Sequence, residues 1–255
     1  MGSEYPVTTA AAPILSRHAN QAELVEAARA AFVNTVVGIQ NGTIASDYSD
    51  GFARVVLTGG GAGTALLTAL GRDFGAIDWQ RVLVFFGDER FVPIDSTDRN
   101  ARAAHTELLD VVGIPADHIF EFDPATGENT PEEVAAKYAE IVGKRAPKGF
   151  DLHLLGMGGE GHINSLFPHT AEIDEEHALV VAVHDCPKPP ATRVSLTMPA
   201  IASAHQVWLL VSGAEKAQAV AAIVAGKPAV EWPAAGVRGK TGTVVFVDEA
   251  ASTLV

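Results

Sequence analysis

Residues 151–168 read DLHLLGMGGEGHINSLFP, an apolar run that ends in glycines and then presents His162, with Glu160 two residues before it. Imidazole is the side chain whose charge changes near neutral pH. A histidine and a carboxylate on a tight turn suit proton transfer, with His162 as base and Glu160 as partner of the ring. The competing reading is a histidine satisfied within the structure. The spacing Gly156-x-Gly158-x-x-Gly161 also matches a dinucleotide fingerprint, which calls for a long helix after the third glycine and an acid about 20 residues further on. Asp185 meets the second condition, 24 residues after Gly161. The first fails: Pro168 follows Gly161 by seven residues, and His162, Asn164 and Ser165 stand where a packing helix needs aliphatics. Ser165 as a nucleophile is a further option, but it lacks the Gly-x-Ser-x-Gly elbow.

Three other places carry chemistry. In LTGGGAGTALL, Gly59, Gly60 and Gly61 lie between a strand and a helix. There, backbone N–H groups can close around a phosphate at the helix N-terminus. A tight turn explains the same residues, and the Gly-Lys-Ser/Thr of a Walker loop is absent. In GDERFVP, Asp88, Glu89 and Arg90 follow an apolar strand, and either carboxylate could pair with Arg90 and hold it rigid. A solvated turn with a surface ion pair is the plainer reading. Arg193 opens RVSLT and Lys216 follows VWLLVSGAE. If the glycine loop binds phosphate, these are the cations an anionic ligand needs.

The elements that must position these residues alternate. Asn20 with Glu23 caps a helix through ELVEAARAAFVNTVV, and Thr130-Pro131-Glu132-Glu133 starts another that runs to about Lys144. Helices are also expected over AGTALLTAL, over DRNARAAHTELLDVVG closed by Gly113, and over EKAQAVAAIVAG. ARVVLT, RVLVFF, DLHLL, LVVAV, RVSLT, VWLLVS and TVVFV read as strands. Apolar strands separated by helices predict an α/β fold with a mostly parallel sheet covered on both faces. Ligands of such sheets bind beyond the carboxyl ends of the strands. No long linker or repeat divides residues 1–255, so one domain is expected.

Composition narrows the partners. Eighteen basic against 31 acidic residues give a formal net charge of -13 with no basic run, which argues against nucleic acid. Cys186 is the only cysteine, so no internal disulfide or cysteine-based metal motif is available, in keeping with a reducing cytoplasm. The N-terminal MGSEYPVTTAAAPILS has no signal-peptide pattern, Pro6 stands where myristoylation needs Ser or Thr, and no apolar run is long enough to span a bilayer.

In combination, LTGGGAGTALL, DWQRVLVFFGDERFVP, DLHLLGMGGEGHINSLFP, PKPPATRVSLTMPAI and VWLLVSGAEKAQAV resemble the 6-phosphogluconolactonase family, in the superfamily that also holds glucosamine-6-phosphate deaminase. The resemblance implies a NagB-like, Rossmann-like sheet. It also implies hydrolysis of 6-phospho-D-glucono-1,5-lactone in the oxidative pentose phosphate pathway, with no metal or organic cofactor and no obligate protein partner. By position, His162 matches the catalytic base and Arg90 the arginine near the lactone. Gly59, Gly60, Gly61, Arg193 and Lys216 match phosphate-binding positions, and Asn164 joins the substrate-binding set. Two residues depart from the family pattern: Glu160, where Asp is more usual, and His153, where an aliphatic is usual and which reads as a strand residue.

Overall fold

The computed structural model describes residues 12–255. The sequence readings on leader and myristoylation signals rest largely on residues 1–11, outside the described residues.

Apolar β-branched runs flanked by glycines make the main strands. In chain order the elements are β1 (Ile14–His18), α1 (Gln21–Gln40), β2 (Ala53–Leu57), α2 (Gly61–Arg72), β3 (Val82–Phe86), β4 (Asp88–Arg90) and α3 (Asn100–Ala104). A π-helical turn, His105–Leu109, carries α3 into α4 (Asp110–Val112). Then come β5 (Ile119–Phe120), α5 (Pro131–Arg145), β6 (Leu152–Gly156), β7 (Val180–Val183), β8 (Arg193–Leu196), α6 (Met198–Ala202), β9 (Gln206–Val211), α7 (Ala217–Val224) and β10 (Gly242–Asp248). The expected caps are present. The Asn20 side chain accepts from the Glu23 N–H, Thr130 and Glu133 form a reciprocal capping box with Pro131 opening α5, and Gly113 closes α4 at φ 67°.

Seven strands form one parallel sheet in the order β1-β10-β9-β6-β2-β3-β5. β2 and β3 are buried along their whole length, which is why their sequences show no alternation. The chain leaves β2 toward β3 on one side, and β6 pairs on the other side. The ends of β2 and β6 therefore meet at the place where strand order reverses, where such sheets bind ligands.

The sheet differs from the sequence reading in one consequential way. LVVAV and RVSLT do not join it. With Asp88–Arg90 they build a second, antiparallel sheet in the order β4-β8-β7. No helix separates β7 from β8, so an antiparallel return is the short solution. The segment read as a turn after β3 is thus a strand, broken from β3 only at Gly87. There the Gly87 N–H donates to Leu57 O and its carbonyl accepts from the Leu196 N–H. A Cβ at Gly87 would collide with the Asn164 amide, so the break needs glycine.

Candidate active site

The turn after β6 is built for close approach. The Gly158 N–H donates to His162 O and the Gly161 N–H to Gly158 O, each at 3.0 Å. Gly161 has φ 82°, and a Cβ at Gly158 would run into the His162 ring and the Glu160 carboxylate. No helix follows the third glycine, so the dinucleotide geometry is absent. His162 Nδ1 lies 3.0 Å from Glu160 Oε1, and the ring stacks on Phe167 with centroids 4.3 Å apart. A carboxylate accepts, so Nδ1 carries the proton and Nε2 holds the free lone pair. Burial pushes the His162 pKa down, the Lys188 ammonium lowers it further, and Glu160 opposes both. Burial by itself would raise the Glu160 carboxyl, but the hydrogen bond from Lys188 and the charges around it hold it at about 2. The result at neutral pH is an uncharged imidazole held by an ionised carboxylate.

Beside this turn lies the glycine loop. Gly60, at φ 80°, is the N-cap of α2, and the Gly156 N–H donates to Thr58 Oγ1 at 3.0 Å, tying the loop to the end of β6. Antiparallel pairing sets Arg90 directly opposite Arg193. Like charges at such positions repel, and each guanidinium is drawn away by its own acceptors. Arg90 Nη1 donates to Asp98 O at 2.7 Å and to Asn100 Oδ1 at 3.0 Å. The expected pairing of Arg90 with Asp88 or Glu89 is therefore corrected. Glu89 is buried and takes the Arg90 backbone N–H, whereas Asp88 accepts from Ser165 Oγ at 2.6 Å and from Asn100. Successive strand residues face opposite ways, which keeps Glu89 off the Arg90 side chain. Ser165 is fully buried in that bond and is not presented as a nucleophile.

Gly59, Gly60, Gly61, Arg90, His162, Asn164, Arg193 and Lys216 all line one cleft of about 460 Å³, with Glu160 behind His162. Asn164 sits at φ 46°, its Nδ2 donating to Leu196 O at 3.4 Å. His153 is fully buried on β6, away from the cleft lining, as its reading as a strand residue anticipates.

The sequence profile described as glucosamine-6-phosphate isomerases/6-phosphogluconolactonase matches residues 19–246. The chain belongs to this family. It is 45% identical over 209 residues to the 6-phosphogluconolactonase of Mycobacterium tuberculosis, spanning 79% of this chain and 85% of the relative. It is 39% identical over 254 residues to that of Streptomyces coelicolor, spanning 94% of each. The solved 6-phosphogluconolactonase of Thermotoga maritima superposes with a TM-score of 0.80 at 26% identity, covering 93% of this chain and all of the other.

Within this family member's cleft, some lining residues had no sequence signal. Gln21 from the start of α1 and Asn100 from α3 reach the cleft from segments with no local motif, and Ser212 beyond β9 lies within VWLLVSGAEKAQAV with no role assigned from sequence. Lys188, within PKPPATRVSLTMPAI, is the most informative, since the sequence leaves its role open. Its Nζ lies 2.8 Å from Glu160 Oε1 and 3.4 Å from His162 Nδ1. Arg193 anchors the segment that carries it: Nε donates to Pro190 O at 3.1 Å, and Nη2 to Lys188 O at 3.0 Å and Pro189 O at 3.4 Å. Nη1 is 3.4 Å from Ser165 Oγ. Arg193 thus spends most of its donors on the 188–190 strap.

These charges make opposite predictions for two variants. A neutral His162 is the competent form, so kcat/KM should fall as pH drops through its pKa, below the ordinary value of about 6.5. Lys188→Ala removes a cation that lowers that pKa, so the acid limb should move to higher pH. Glu160→Gln removes the opposing anion, so the limb should move to lower pH. Initial-rate pH profiles of the three proteins check this; a shift of both variants in the same direction would contradict it.

Proposed function

We propose that this chain is a 6-phosphogluconolactonase, hydrolysing 6-phospho-D-glucono-1,5-lactone to 6-phospho-D-gluconate in the oxidative pentose phosphate pathway. The observation that carries the reading is the neutral, carboxylate-held imidazole of His162 beside a glycine loop at a helix N-terminus, in one cleft. The backbone N–H groups of Gly59–Gly61 and the Lys216 ammonium hold the 6-phosphate, with Arg193 contributing through Nη1. That anchor sets the lactone carbonyl over the turn at 158–162. Nε2 of His162 takes a proton from water as the oxygen attacks C1. Arg90 faces the developing oxyanion. The imidazolium, stabilised by Glu160, returns its proton to the ring oxygen as the C1–O bond breaks. Asn164 supports the substrate-facing wall. We place the enzyme in the cytoplasm as one domain; among the described residues no helix is long and apolar enough to cross a membrane.

The test is to supply purified protein with 6-phosphogluconolactone and, separately, with glucosamine 6-phosphate. Acid release from the first with no ammonia from the second is expected; ammonia release would instead assign the isomerase–deaminase chemistry.

The phosphate contacts make a separable prediction. Lys216→Ala removes one charge-assisted contact worth about 1.5–3 kcal/mol, so KM should rise about tenfold or more with kcat kept. Arg193→Ala should damage both constants, because the strap bearing Lys188 loses its anchor. No step passes through a metal, so chelator should leave the rate unchanged. Steady-state kinetics of both variants, and of the wild type with EDTA, provide the check.

A further inference from the structure

Asn100 opens α3 and is nearly buried, at 8% exposure. Its side-chain amide joins two cleft residues. Oδ1 accepts from Arg90 Nη1 at 3.0 Å. Nδ2 donates to the Asp88 carbonyl at 2.9 Å and to the Asp88 carboxylate at 3.2 Å. The same amide lies so close to Gly59 that a Cβ there would collide with it. Asn100 is itself fixed from behind. Its backbone N–H donates to Glu89 Oε1 at 2.7 Å, and Glu89 Oε2 accepts from the Ala101 N–H at 2.9 Å. Glu89 also takes the Arg90 N–H, so one buried carboxylate clamps β4 to the first turn of α3.

We propose that Asn100 is a positioning residue for the reaction, acting through Arg90; this rests on the lactonase reading above. Both Nη1 hydrogens of Arg90 are consumed, by Asp98 O and Asn100 Oδ1. That leaves Nη2 as the terminal nitrogen with no acceptor among the described residues, while Nε is enclosed without a partner. A planar group pinned at Nη1 holds its other terminal nitrogen in a fixed direction, which a lysine cannot do. The position requires asparagine because it must accept from Arg90 and donate to Asp88 at once. Aspartate would set two carboxylates against each other. Glutamine, one methylene longer, has no room beside Gly59.

A double-mutant cycle tests the claim. Asn100→Ala should lower kcat on the order of tenfold or more with KM little changed, since a small misplacement of an oriented group is costly. In the Arg90→Ala background the same substitution should cost less than about threefold, because the group it orients is gone. Equal losses in both backgrounds, or no loss in either, would overturn the proposal. If Asn100→Ala does not fold, Asn100→Ser carries the same cycle and criterion: it is too short to reach Arg90 but leaves a hydroxyl beside Asp88. A readout independent of turnover is the rotation of the Arg90 guanidinium about its Nε–Cζ bond, followed by ¹⁵N NMR and assigned by its loss in Arg90→Ala. Rotation should be slow in the wild type and fast in the Asn100 variant; unchanged rotation would overturn the role. Should wild-type protein open no lactone, the functional reading falls and the NMR result alone decides Asn100.

Discussion

Replacing His162 by alanine should lower kcat by ~10²-fold or more while leaving KM nearly unchanged. The two effects separate because the groups do. The glycine loop leads into α2 and Lys216 stands just before α7, whereas His162 stands on the turn after β6. Truncating the imbalanced member of a charged pair often harms folding as well. Here the loss is limited, because the ring is uncharged and the turn is held by its own backbone bonds, Gly158 N–H to His162 O and Gly161 N–H to Gly158 O. The stacked Phe167 face would be opened, so some thermal destabilisation is expected beside the kinetic one. His162→Asn, which keeps a polar side chain facing Glu160, should be as inactive as alanine but better folded. The assay must subtract spontaneous lactone opening and run at mildly acidic pH, where we expect that background to be low. A folded His162→Ala protein with near-normal kcat after the subtraction would eliminate His162 as base, and the mechanism with it.

The site was readable from sequence wherever chemistry and backbone constraint coincide in one short segment. Gly158, whose Cβ would strike the His162 ring, and Gly161, at φ 82°, mark a turn that needs glycine, so the histidine they present announces itself; in the other loop the same holds for Gly59, against Asn100, and Gly60, at φ 80°, while Gly61 has room for a side chain. Helix boundaries at Asn20, Gly113 and Thr130 were readable for the same reason, each being a local hydrogen-bonding or dihedral requirement. The failures are of another kind. β7 and β8 have the composition of buried parallel strands, and nothing local says that they pair with Asp88–Arg90 instead. β1 is half exposed at the sheet edge, and β5 has only two residues, so neither gives a strong pattern. Lys188 and Asn100 owe their roles to partners 26 to 28 residues away or on another element, as with Lys188 and His162, and spacing along the chain carries no trace of that. Glu160 shows the opposite case. Its extra methylene relative to the usual aspartate still allows a 3.0 Å approach to the ring, because the glycine turn leaves room for it.

Arg90→Ala should cost a comparable ~10²-fold in kcat/KM, the scale for removing one preorganised donor to a developing oxyanion. The observation behind this is the divided guanidinium. Asp98 O and Asn100 Oδ1 occupy Nη1, Nε is enclosed, and Nη2 has no acceptor among the described residues and is left for a ligand. A surface ion-pair partner would have its carboxylate on the guanidinium, and neither Asp88 nor Glu89 supplies one. Arg90→Lys separates charge from geometry. The ammonium keeps the positive charge, but a single nitrogen cannot hold the two fixed acceptors and still present a second, separately aimed nitrogen. Lysine should therefore recover the electrostatic attraction for the anionic substrate, seen in KM, while kcat remains well below wild type. Stability should not respond as it would for a structural arginine. The backbone of β4 is held by Glu89 and by pairing with β8, neither of which needs the Arg90 side chain, so the melting temperature should change little. Kinetics and thermal melts of wild type, Arg90→Ala and Arg90→Lys measure both quantities. Unaltered kcat/KM with a lowered melting temperature would make Arg90 a structural residue and remove the oxyanion contact from the mechanism.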